Sequence, residues 1–139
     1  MNYFFVAHVC ATAMAWASPA LSADRFDTCA EVGMAAIAEG VDPALAVALS
    51  YTESRFNRDA VSHRGAHGPL QVKPTFHCPN NRIENCDLIK AGIGAMIRYR
   101  SRYGQGWLCH WNSGNRCYGS SRYFARLVLR RARTLKGDG

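Results

Sequence analysis

Glu53 is the residue of this sequence best suited to acid/base chemistry. It follows the run ALAVAL, which is apolar on every side and therefore predicts a helix surrounded by protein. A carboxyl in the last turn of such a helix is removed from water and faces the negative end of the helix dipole, and both effects raise its pKa. It could then stay protonated near neutral pH and act as a general acid. Judged from its position in the helix alone, Glu53 could equally well reach solvent or form an ion pair with Arg55 or Arg58.

The segments that would position Glu53 are predicted to be helices joined by loops. The residues from Thr28 to Glu31 have the capping-box pattern and open a first helix, which Gly40 can end. Asp42 and Pro43 then supply an N-cap and a first-turn proline for the helix that leads to Glu53.

The second half of the chain is also predicted to be mainly α. Glycines and prolines indicate a loop from Asn57 to about Asn85, which could contain a small β-hairpin. Asp87 can cap a helix over residues 88–102, in which Gly92 and Gly94 indicate close contacts with neighbouring segments. Residues 107–118 form a loop or short helix. A basic helix closes the domain, and its regularly spaced arginines are interpreted as a solvated face.

Residues 1–23 resemble a secretory signal, because a short apolar run is followed by Pro19 and by small residues where a peptidase would cut. The run falls short of the roughly 20 residues that a membrane anchor needs. We expect cleavage after Ala23, with Ala20 as the alternative, and a mature domain of residues 24–139. This domain would be periplasmic or secreted, and it would carry the whole formal charge of +7.

Export agrees with the cysteine content, which favours disulfides. Cys10 would leave with the signal, so an odd thiol would be left over. Cys109 and Cys117 bracket a short loop and are the first predicted pair. Cys78 with Cys86 is favoured next by local spacing, and a bridge from Cys29 to Cys86 is the competitor. A zinc site is not favoured, because no Cys-x-x-Cys or helical His-x-x-x-His pattern occurs.

The segment ESRFNRDAVSHRGAHGPLQVKP resembles the signature of the lytic transglycosylases related to the soluble Slt-type enzymes. The family's motif opens with Glu-Ser, continues through an Asn and a Ser-x-x-Gly-Ala-x-Gly turn, and ends with Leu-Met-Gln and a proline. The matching positions are Glu53, Ser54, Phe56, Asn57, Ala60, Ser62, Gly65, Ala66, Gly68, Gln71 and Pro74. The family's later Ala-Tyr-Asn-Ala-Gly is HWNSG here, which retains Asn112 and Gly114, and a tyrosine of the next helix matches Tyr123.

This resemblance implies a mainly α, lysozyme-like single domain with a substrate groove, and it assigns roles to particular residues. The catalytic acid/base falls on Glu53, and the groove residues fall on Ser62, Gln71, Asn112 and Tyr123, with the tyrosine expected near the carboxyl. The sequence departs from the family at Pro69 and Leu70, and His110-Trp111 replaces Ala-Tyr. The larger side chains of His110 and Trp111 enlarge the wall of the groove and offer a stacking surface.

The implied reaction is cleavage of peptidoglycan between N-acetylmuramic acid and N-acetylglucosamine. A two-carboxylate glycosidase needs a second acid roughly 5–10 Å from the first. Asp59, Glu84 and Asp87 are the candidates, and none is obviously placed for this role. One carboxyl is enough if the muramyl C6 hydroxyl closes onto C1 as a 1,6-anhydro ring. A hydrolytic muramidase using Asp59 or a bound water is the closest alternative, and a non-catalytic cationic wall-binding assembly protein is the other.

The expected partners follow from the same resemblance. The substrate would be the glycan strands of peptidoglycan, and no metal or other cofactor is required. Single-domain members of the family often open the wall for secretion, pilus or conjugation machinery, and nothing in the sequence selects among these. We expect a monomer that does not bind nucleic acid, since export, the cysteines and the lack of a recognition module all argue against that partner.

Overall fold

The computed structural model describes residues 3–137 and confirms the mainly α fold. The helices are α1 (Tyr3–Met14), α2 (Ala23–Ala38), α3 (Pro43–Ser54), α4 (Pro74–His77), α5 (Leu88–Tyr103), α6 (Trp107–Ser113) and α7 (Gly119–Leu135). Short 3₁₀ turns at Pro79–Asn81 and Gly104–Gly106 precede and follow α5.

Helix α3 lies at the centre of the domain and packs against α1, α2 and α7. Its middle is buried on every side, as the apolar run ALAVAL predicts. The predicted start is confirmed, because the Asp42 carboxylate accepts a hydrogen bond from the Ala44 amide at 3.0 Å and Pro43 occupies the first turn. The helix ends at Ser54, and its C-cap Arg55 has a left-handed φ of 51°. Glu53 is therefore held in the final turn of the most enclosed helix.

The predicted start of α2 is wrong. The helix begins at Ala23, and the Thr28 hydroxyl donates to the Asp24 carbonyl at 3.2 Å inside the helix. A threonine at a helical position bonds back to the preceding turn in this way, so it does not cap. The predicted end is confirmed, since α2 stops at Ala38 and Gly40 takes a φ of 73°.

The loop that precedes α4, which the sequence allowed to contain a small β-hairpin, has two isolated antiparallel bridges instead. They join Val61 to His67 and His67 to Val72, and no strand is present in residues 3–137. Leu70 is fully buried, which anchors the loop in the core. The loop is therefore held to the helices around it by packing, while backbone hydrogen bonds such as that from Gly68 N–H to the Ala60 carbonyl, at 2.8 Å, close its turns.

Gly92 and Gly94 make different contacts inside α5, and we expect opposite effects when each is replaced by alanine. A Cβ at Gly92 would lie 2.5 Å from Cδ1 and 2.8 Å from Cβ of Leu70, so Gly92→Ala should lower the free energy of unfolding by about 1–3 kcal/mol. At Gly94 the nearest atom is the tip of Arg98 at 3.3 Å, so Gly94→Ala should raise it by about 0.5–1 kcal/mol through helix propensity. Urea unfolding measures both, and equal effects would contradict the predicted contact.

Residues 3–17, which lie within the predicted signal, form α1 and the turn after it. Val6, Val9, Cys10 and Ala13 are fully buried against the domain, and Cys10 is bonded to Cys29. Among the described residues, no helix combines the length and apolarity that crossing a bilayer requires. Cleavage after Ala23 stays a prediction. It would remove α1 and leave Cys29 without its partner, and the intact mass of the exported protein would reveal it.

Two further disulfides follow the predicted local pairing. Cys78 is bonded to Cys86 and Cys109 to Cys117, each across a separation of 8 residues. The competing bridge from Cys29 to Cys86 is not formed. The bond between Cys109 and Cys117 closes the segment that carries the end of α6, where Asn112 and Gly114 lie.

Candidate active site

Glu53 is partly buried in the last turn of α3. Burial raises the pKa of its carboxyl from 4.5 to about 7, and a hydrogen bond from Trp111 opposes this by lowering it. The chain turns away directly afterwards, because Arg55 and Phe56 both have left-handed backbone angles and the Phe56 side chain is fully buried. The carboxyl is thus held at the point where the helix gives way to the loop.

Trp111 is the hydrogen-bond partner of Glu53. Its indole N–H donates to Oε2 at 2.8 Å. Helix α6 supplies this side chain, and the indole packs edge-on against Tyr99, at 5.3 Å between ring centroids, and against Trp107, at 5.8 Å. Among the described residues no hydrogen bond to Oε1 is found.

A groove of about 310 Å³ lies beside this pair, between the loop, α4, α5 and α6. Its lining residues are Arg64, Gln71, Val72, Lys73, Phe76, His77, Tyr99, Trp111, Asn112, Ser113 and Gly114. Glu53 is not among them and is linked to the groove through Trp111. The lining combines aromatic faces, amides and cations, and it contains no carboxylate.

The loop is clamped to α3 by two serine hydroxyls. Ser50 and Ser54 both donate to the Pro69 carbonyl, at 2.9 and 2.8 Å. Ser50 is fully buried, so its hydroxyl depends on this bond to be satisfied. Sequence reasoning missed Ser50 and the structural role of Ser54, because their shared acceptor is a backbone carbonyl that no motif specifies. These bonds hold the loop against the turn that carries Glu53.

The comparison with known families agrees with this geometry. The family model described as Transglycosylase SLT domain matches residues 31–120, which include Glu53, the loop and α6. The chain belongs to this family. No curated protein and no solved structure matches it. The lysozyme-like fold expected from the sequence is therefore confirmed at the level of the family and of the helical architecture.

Of the groove residues that the SLT resemblance implies, Gln71 and Asn112 line the groove. The Gln71 side-chain amide donates to the carbonyls of Ala60 and Gly68, at 3.1 and 2.9 Å, so it also holds the loop together. Among residues 3–137, no hydrogen bond to its amide oxygen is found. Asn112 is exposed and lies next to Trp111 on α6.

Ser62 and Tyr123 are outside the groove lining. The Ser62 hydroxyl accepts hydrogen bonds from the backbone amides of Arg64 and Ala66, at 3.3 and 3.0 Å, and so stabilises the loop's turn. Tyr123 lies on α7 and is 56% exposed. Among the described residues, Trp111 and not Tyr123 provides the hydrogen bond to the carboxyl. Substrate binding by Ser62 and Tyr123 stays a prediction.

The other carboxylates considered for an SLT-type site lie in different surroundings. Asp59 is exposed in the loop. Glu84 forms an ion pair with Arg82 at 3.0 Å, and Asp87 caps α5 by accepting from the Lys90 amide at 3.1 Å. Glu84 and Asp87 thus have local structural roles, and Asp59 is the remaining candidate for a second acid.

Cations dominate the charge at the groove. Arg64 and Lys73 are exposed along its lining. The His77 ring nitrogen Nδ1 lies 2.9 Å from the Arg98 guanidinium. Burial lowers the pKa of His77, and the charge of Arg98 lowers it further, which favours the neutral imidazole that can accept from the Arg98 guanidinium. The groove therefore suits a ligand that carries negative charge.

Cys109, His110 and Cys117 place possible metal-ligand atoms within 4.8 Å of one another. The two sulfurs are bonded to each other, and Nδ1 of His110 lies 2.8 Å from the Gly114 carbonyl oxygen. The His110 ring also stacks on Tyr103, at 3.8 Å between centroids. In this oxidised state the three residues stabilise the end of α6.

Proposed function

We propose that this protein is a lytic transglycosylase that cleaves the β-1,4 bond between N-acetylmuramic acid and N-acetylglucosamine in peptidoglycan. The observation that carries the proposal is the placement of Glu53. It is a partly buried carboxyl with a pKa raised to about 7, beside a groove whose lining has no carboxylate. Membership of the SLT family supports the same substrate.

The reaction needs one group that first donates a proton and then accepts one. Protonated Glu53 gives its proton to the glycosidic oxygen, the bond from C1 to that oxygen breaks, and an oxocarbenium-like centre develops at C1. The ionised carboxylate then takes the proton of the muramyl C6 hydroxyl, and O6 bonds to C1. A pKa near 7 suits both steps, since the acid and base forms are then both populated at neutral pH.

Ring closure in place of hydrolysis is supported by the lack of any carboxylate among the described residues that line the groove, where a second acid beside Glu53 would be expected. The C6 hydroxyl belongs to the same sugar as C1, so its attack is intramolecular and gains from proximity. The exposed cations Arg64 and Lys73 suit the carboxylates that peptidoglycan bears, and the aromatic side chains Phe76 and Tyr99 offer surfaces for sugar rings.

The proposed setting is the periplasm or the cell exterior, reached through the predicted signal, where the enzyme would meet the glycan strands. We also propose, from the family resemblance, that the enzyme opens the wall for an envelope-spanning secretion, pilus or conjugation apparatus.

Product analysis by mass spectrometry tests the reaction. Purified peptidoglycan sacculi incubated with the protein should release muropeptides that end in 1,6-anhydromuramic acid. These products resist borohydride reduction and are lighter by one water than hydrolysis products. Reducible ends would instead identify a hydrolytic muramidase. Binding to sacculi without release of fragments would identify a non-catalytic wall-binding protein.

A further inference from the structure

We propose that Trp111 is a positioning residue that assigns separate tasks to the two oxygens of Glu53. It holds Oε2 as a hydrogen-bond acceptor and leaves Oε1 to carry the proton that is delivered to the substrate. This inference deepens the proposed function and rests on it, because the task of Oε1 has meaning only if Glu53 is the acid.

The assignment follows from the chemistry of the indole ring. The indole N–H of Trp111 is a donor and cannot accept a hydrogen bond. A protonated carboxyl has one carbonyl-like oxygen and one hydroxyl oxygen, and the carbonyl-like oxygen is the better acceptor. The bond of 2.8 Å to Oε2 therefore favours the form in which the proton lies on Oε1. The tyrosine of the family motif at this position could donate or accept, and would not impose this choice.

The surroundings of Trp111 keep its N–H in place. Its ring is held between Tyr99 and Trp107, and Trp107 is only 4% exposed. The next residue on α6, Asn112, lines the groove. The same turn of helix therefore sets both the orientation of the carboxyl and one wall of the groove.

The bond also favours the first step of the proposed reaction, in which Glu53 gives up its proton. When Glu53 has given up its proton, the N–H of Trp111 stabilises the carboxylate through a charge-assisted hydrogen bond. The free oxygen can then take the proton of the C6 hydroxyl.

A nuclear magnetic resonance titration of the full chain tests the pairing without substrate. The indole N–H signal of Trp111, identified by its loss in Trp111→Phe, should shift with pH around a midpoint near 7, the pKa of Glu53. Glu53→Gln should abolish this shift while keeping the signal. Trp16→Phe, the matched control at an indole that packs on Tyr51, should remove a different signal and leave the titration unchanged. An indole signal that does not respond to pH in the wild type, or that responds equally in Glu53→Gln, would overturn the inference.

Kinetics test the consequence for catalysis. Because the Trp111 bond lowers the pKa of Glu53, Trp111→Phe should move the alkaline limb of the pH–kcat profile to higher pH. It should also reduce kcat on the order of 10- to 100-fold, as expected when a reacting group loses its orientation. A purely structural role would leave the limb in place, and that result would overturn the inference. If the indole titrates but the wild type does not cleave peptidoglycan, the proposed function fails together with the task of Oε1.

Discussion

Replacing Glu53 by glutamine is expected to reduce the release of anhydromuropeptides from purified sacculi by about 10³-fold or more. Glutamine keeps the shape of the side chain and can still accept from Trp111, but it can neither give nor take the proton that both steps transfer. Removal of a general acid or base typically costs about 10²–10⁴-fold, and here one residue serves in both roles. The measurement is the initial rate of soluble fragment release, with product identity checked by mass spectrometry.

Two further variants make this result specific to Glu53. Glu39→Gln is the matched control, because Glu39 is exposed just beyond α2 and should leave the rate unchanged. Asp59→Asn distinguishes ring closure from hydrolysis with a second carboxylate. It should retain activity under the proposed mechanism, whereas a large loss together with reducible products would favour the muramidase. Unchanged cleavage by Glu53→Gln would remove the catalytic assignment altogether.

The second large effect is a pH dependence of stability that Glu53→Gln should eliminate. Folding raises the pKa of this carboxyl from 4.5 to about 7. Below about pH 4.5 Glu53 is protonated in both states. As the pH rises towards 7, the unfolded chain releases the proton while the folded chain keeps it, so stability falls. Each pKa unit corresponds to about 1.4 kcal/mol, so the loss reaches about 3 kcal/mol and is complete above the folded pKa.

Urea unfolding of the wild type and of Glu53→Gln at about pH 4 and pH 8 measures this term. From pH 4 to pH 8, the free energy of unfolding of the glutamine variant should rise by about 3 kcal/mol relative to that of the wild type. Taking the difference between the two proteins cancels the contribution of all other titrating groups. Glu39→Gln should show no such gain. Parallel stability curves for the wild type and Glu53→Gln would contradict the raised pKa, and would also remove one support for Glu53 as the acid.

The features that the sequence predicted well are those encoded over a few neighbouring residues. Asp42 and Pro43 start α3 as expected, because a cap bonds to amides within one turn. Asp87 starts α5 for the same reason. Gly92 was expected at a close contact and lies against Leu70, which a side chain at that position would meet. The capping box at Thr28 failed because the same residues fit equally well inside a longer helix.

The candidate site itself was predictable only in part. The position of Glu53 at the end of a buried helix follows from the apolar run before it, and the groove positions of Gln71 and Asn112 agree with the family motifs. Tyr123 was expected near the carboxyl, whereas the described hydrogen bond to it comes from Trp111. The sequence offered Trp111 only as a stacking surface.

By itself, then, the sequence determined a mainly α SLT domain and the carboxyl that is its candidate acid, since helix caps, apolar periodicity and ordered motifs are local. Tertiary structure alone decided what surrounds that carboxyl. The hydrogen bond from Trp111 to Glu53 joins residues 58 positions apart, and the bonds from Ser50 and Ser54 to Pro69 join different segments. Such contacts depend on how α3, the loop and α6 pack together, and the pKa of Glu53 depends on the resulting burial and on the bond from Trp111.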